Sequence, residues 1–196
     1  MTARPLVLAV SLLTFFFFFA YGPLEVALPV AARVTFHTNS AGYGAMWSAY
    51  AVGSVAGLLV LRAQYQRFQT TTILCAIAVM WGVLSMALAF THVLAAAMIV
   101  LLIAGFLWSP YNALESAFMQ VQVPEHVQGA VFSMQSSFLY MLAVPLGAMA
   151  GGWVLAHTTP QNVMLLSGGA CVVAGAIGYA STARARDAKE VSRIPP

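Results

Sequence analysis

From Arg4 to the basic cluster that opens at Arg184, the chain is a succession of long apolar stretches separated by short polar ones. A helix needs an apolar run of about 20 residues to cross the hydrocarbon core of a bilayer. Inside that core every backbone N–H and C=O must find its partner within the chain, so each run is read as a helix. The runs predict six spans, at about 5–34, 43–61, 70–90, 93–122, 130–156 and 162–180. Residues 1–182 would form the transmembrane bundle, and 183–196 a cytoplasmic tail expected to be disordered. The expected fold class is an all-α membrane protein.

Charge supports this. Only 7% of the residues are charged and 61% are hydrophobic, whereas a soluble domain carries roughly 25% charged residues. So little polar surface cannot cover a core in water. The net charge of +3 comes mostly from the tail and is no signal for nucleic acid. Cys75 and Cys171 lie inside apolar stretches and read as packing residues. A cleaved leader is disfavoured: the first run continues past Gly22 and Pro23, and no small-residue cleavage site ends it.

Six spans place both termini on one side. Of the eight Lys and Arg residues, only Arg33 falls on the other side. The positive-inside rule therefore predicts cytoplasmic termini in a multi-pass plasma (inner) membrane protein.

Spans one and four are over-long, and each carries a proline followed by a glutamate: Gly22-Pro23 with Glu25, and Pro110 with Glu115. These, with Pro145 in span five, are expected helix breaks. Interrupted helices three spans apart suggest two inverted three-helix repeats with a substrate region between them. An acid at mid-helix costs about 2.5–3.5 kcal/mol to insert, so both glutamates need a reason. Three remain open: hydrogen bonding to backbone freed near the prolines, a proton or cationic-substrate site, or an ion pair outside the chain. Tyr21, Glu25, Tyr111, Asn112 and Glu115 are the pathway candidates. Ser136, Ser137 and Tyr140 are weaker ones.

Small residues recur every four positions in span two (Ala45, Ala49, Gly53, Gly57) and in span five (Ala143, Gly147, Gly151). Such stripes let another helix approach closely.

GPLEVALPVAAR in span one, and VPEHVQGAVFSMQSS with PLGAMAGG across the fourth turn and fifth span, resemble the second half of major facilitator superfamily transporters. The drug- and siderophore-exporter branch is closest in style. The resemblance covers nearly the whole chain before the tail. It implies a transporter, or its carboxy-terminal half, exporting amphipathic small molecules by alternating access, with proton coupling as one option. It also implies that the two stripes face a second six-helix half, which would be a separate chain, a second copy or a missing N-terminal half. The cytoplasmic turn at Pro124, Gln128 and Gly129 departs from the family, which usually carries arginine there. The alternative is a non-transporting scaffold or truncated remnant that binds a partner half. No nucleotide loop, metal motif or nucleophile arrangement is present, so neither an enzyme nor a cofactor is expected.

Overall fold

The computed structural model describes residues 4–64, 70–123 and 125–191. All regular structure among them is helical: α1 Arg4–Val34, α2 Ser40–Gln64, α3 Thr70–Ala89, α4 Leu94–Gln122, α5 Glu125–Gln135, a π-helical segment Ser136–Ala143, α6 Val144–His157 and α7 Pro160–Val191. Helices α1, α2, α3, α4 and α7 are each long and apolar enough to cross a membrane. The expected fifth span is built differently, from α5, the π segment and α6 in one unbroken helical path. Its apolar part is Met141–His157.

Local chemistry sets several ends. Asn39 caps α2, its Oδ1 accepting from the amides of Ala41 and Gly42 at 3.0 and 3.2 Å. His37, with φ of 48°, makes the left-handed step between α1 and α2. Pro160 opens α7 at the position where its missing N–H costs nothing. The π segment lies just before Pro145, which cannot donate to the Met141 carbonyl, and the wider turn absorbs that missing bond.

The prolines expected to break spans one and four do not. Pro23 and Pro29 lie inside α1, and Pro110 inside α4, each helix running on without interruption. Away from water the freed carbonyl has no better partner elsewhere, so the helix tolerates the lost bond. The stretch expected to be a disordered tail is also helical as far as Val191. Its Arg, Lys and Glu are good helix formers and extend the helix already nucleated by α7.

The helices pair as α2 with α4, α6 with α1, and α3 with α7; α7 also packs on α1, and α3 on α4. Glycine sets how close they come. A side chain at Gly53 or Gly57 would strike the α4 backbone at Leu102 and Phe106, and one at Gly105 would strike the Tyr50 carbonyl. On the other side, a side chain at Gly147 would strike the Phe19 carbonyl, one at Gly151 would strike Pro23, and one at Gly22 would strike the Val144 carbonyl. The two stripes expected to face a second six-helix half are therefore occupied within this chain. Ala45, Ala49, Gly53 and Gly57 belong to the α2 face toward α4; Ala143, the last residue of the π segment, and Gly147 and Gly151 of α6 belong to the face toward α1. Four-residue spacing of small side chains calls for a close neighbour, and the nearest helices of the same bundle supply it. Gly22 and Pro23 act in this contact rather than as a hinge.

Candidate functional site

Along α1, Thr14, Phe17, Phe18 and Tyr21 recur at three- and four-residue intervals, which puts them on one face. That face meets α4. The Thr14 and Tyr111 hydroxyls are hydrogen-bonded at 3.0 Å in the buried core. The Phe17 ring lies 4.5 Å from Tyr111, and the Trp108 ring 5.2 Å from Phe18 and 4.9 Å from Tyr21. Trp81 of α3 closes the cluster, its ring 5.5 Å from Phe17 and 5.6 Å from Tyr21. From α2, the Tyr50 ring lies edge-to-face 5.4 Å from Trp47 and 6.3 Å from Trp108 at a tilt.

The cluster has a floor and a rim. Phe17, Phe18, Trp81 and Tyr111 are fully buried and act as packing. Trp47, Tyr50 and Trp108 are half-buried. One turn past Tyr21 on α1 stands Glu25, which is exposed and within hydrogen-bonding reach of the Tyr21 hydroxyl. Two polar atoms in the cluster, the Tyr50 hydroxyl and the Trp81 indole N–H, are buried without a hydrogen-bond partner. Leaving such a group unpaired costs about 1–3 kcal/mol.

The pathway candidates thus separate. Tyr21, Glu25 and Tyr111 belong to the aromatic cluster. Asn112 turns back on its own helix, its Nδ2 donating to the Trp108 carbonyl at 3.0 Å. Glu115 is buried, only 3% exposed, in the opposite half of the bundle from Glu25. The two glutamates do not share a site. Tyr50 was the residue that sequence reasoning missed, because nothing local marks an aromatic as unsatisfied.

A family model described as a transmembrane secretion effector, within the major facilitator superfamily, matches residues 2–195. The chain belongs to this family. Among curated proteins and among solved structures, no match reaches significance. Membership makes the chain a multi-pass integral membrane protein of a transporter family, and the apolar helices agree with it.

In this member a neutral side chain caps α4 at its turn into α5. Pro124 lies outside the described residues. Gln128 donates from Nε2 to the Gln120 and Val123 carbonyls, at 2.9 and 3.0 Å, and so satisfies the end of α4. Gly129 is exposed with open space where a Cβ would stand. Gln128→Ala should therefore lower stability by about 1 kcal/mol, the value of a typical net hydrogen bond. Thermal unfolding in detergent measures it, and an unchanged midpoint would show that the cap is idle.

Proposed function

We propose that the chain is the carboxy-terminal six-helix half of a secondary transporter that exports amphipathic small molecules by alternating access. The observation that carries this reading is Glu25. It stands exposed on α1 at membrane depth, one turn past Tyr21, whose ring lies 4.9 Å from that of half-buried Trp108. A carboxylate facing lipid there is unfavourable by several kcal/mol, so this face belongs against water or a second bundle. Glu25, the half-buried rings of the rim and the unpaired Tyr50 hydroxyl suit a ligand that is part apolar and part polar.

Two inverted three-helix units are the architecture that goes with this function. Exchanging spans one, two and three with four, five and six turns the α1–α6 pair into the α4–α2 pair and leaves α3–α7 unchanged. The glycine contacts support the same exchange. Gly22 meets Val144 as Gly105 meets Tyr50, and Gly147 meets Phe19 as Gly53 meets Leu102. In that register Pro23 matches Phe106 rather than Pro110, so the glycines carry the repeat and the prolines do not.

Both termini are cytoplasmic in this proposal, in the inner membrane, as the Lys and Arg distribution favours. The second half would cover the outer faces of α2 and α6, where Val52, Val55, Leu59, Met149 and Trp153 are exposed. Glu25 is the group that binds the substrate's polar end or carries a coupling proton. The test is flux of an amphipathic dye from proteoliposomes under a proton gradient, with and without a co-expressed second six-helix half. Flux requiring the partner half supports the proposal. Tight binding of a partner with no flux for any dye would favour the scaffold reading.

A further inference from the structure

The outer surface of the bundle carries an apolar groove of about 510 Å³ between α1 and α7, remote from Glu25. Leu8, Leu12 and Phe16 form one wall, one turn apart along α1; Ala174, Ile177 and Ser181 stand on the other. Leu8, Leu12, Phe16 and Ile177 are all about half exposed or more. The two helices are antiparallel here: the Ser167 hydroxyl donates to the Ala20 carbonyl, Gln161 pairs with Thr35, and Gly178 faces Leu13. The groove therefore opens at the membrane side where α1 begins and α7 leaves the bilayer.

Length and charge identify the occupant. From Leu8 to Phe19 the groove follows α1 for about 16 Å at 1.5 Å per residue. One leaflet of the hydrocarbon core is about 15 Å deep. The groove thus spans a single leaflet, the reach of one acyl chain, and ends where a headgroup would sit. At that end the sequence places Arg4 one turn before Leu8, and Arg184 and Arg186 on α7 just past Ser181. Asp187 and Glu190 follow on the same helix, but with Lys189 the stretch 184–190 keeps a net charge of +1, to which Arg4 adds another. Basic residues beside a cleft between transmembrane helices attract anionic headgroups.

We infer that this groove is a binding site for one anionic phospholipid, its chain between α1 and α7 and its headgroup at the basic end, where α1 begins and α7 leaves the membrane. The site is independent of the transport reading. A neutral lipid would make no use of the basic residues at that end.

The full chain, reconstituted in phosphatidylcholine vesicles doped with phosphatidylglycerol and extracted gently, would be weighed by native mass spectrometry. The expected result is one retained phosphatidylglycerol, favoured over phosphatidylcholine about thirtyfold, as two membrane-proximal positive charges imply. Ala174→Phe, and Ala9→Phe from the opposite wall, should abolish retention of both lipids by filling the groove. R184Q combined with R186Q should keep the chain-binding groove but bring the two lipids to near parity. Equal retention of both lipids by the unaltered protein would overturn the proposal. So would phosphatidylglycerol retention that survives both groove fillings, or a dimer that the fillings convert to monomer.

Discussion

Alanine at Gly53, Gly105 or Gly147 should destabilise the bundle by about 2 kcal/mol or more each, the upper part of the range for overpacking. Alanine at Gly44, Gly152 or Gly169 should leave it unchanged or slightly stabilise it. The two sets are chemically identical substitutions in helices. They differ in what the new methyl meets. In the first set it meets backbone: the Leu102 carbonyl for Gly53, the Tyr50 carbonyl for Gly105, and the Phe19 carbonyl for Gly147. A rotamer change cannot relieve a clash with backbone, so whole helices must move apart. Moving them also weakens the dispersion contacts along the α2–α4 and α1–α6 seams. In the second set no atom lies within 4 Å of the added carbon, and alanine's helix propensity favours it by up to about 1 kcal/mol. Thermal or denaturant unfolding in one detergent, across all six variants, separates the sets. Equal stability for both would mean that the seams are looser than the glycines require.

Those seams mark how far the sequence alone could be read. Small residues at four-residue spacing announced close helix contacts on spans two and five, and both contacts exist. The spacing says that a helix approaches; it does not say which one. Family topology pointed to a second bundle, whereas α4 and α1 lie nearer in the same chain. The prolines misled for a related reason. Pro23 and Pro110 would break a helix that water could solvate, but the surrounding bundle leaves the backbone no competing partner.

The candidate site was only partly legible. Glu25 and Glu115 look alike in sequence, each an acid after a proline in an apolar run. Helix phase separates them: Glu25 faces outward beyond Tyr21, while Glu115 turns into the core. Phase alone does not reveal which face of an apolar helix is covered. The aromatic cluster was harder still, because Phe17, Tyr50, Trp81 and Trp108 come from four separate helices. No single stretch of sequence holds enough of them to stand out. Gln128, by contrast, could be read as a departure from the family's arginine, though not as a cap on α4.

Glu25→Gln should lower gradient-driven export about tenfold to a hundredfold, while Glu115→Gln leaves the rate within about twofold. Hydrogen bonds to charged groups contribute about 1.5–3 kcal/mol, and each 1.4 kcal/mol is a factor of ten. That sets the scale for losing the Glu25 contact, whether its partner is the substrate or a proton. Gln keeps the size of the side chain and its reach toward Tyr21, so a loss of flux would reflect charge and protonation, not packing. Glu115 is buried away from the aromatic rim, so its amide replacement leaves the groups around Glu25 unaltered. Two measurements on Glu25→Gln divide the roles. If it binds substrate, dye affinity falls with the gradient present or absent. If it carries a proton, affinity is kept and flux no longer responds to the gradient. Full gradient-driven flux in Glu25→Gln would remove this residue from the mechanism, and with it the observation on which the transporter reading rests.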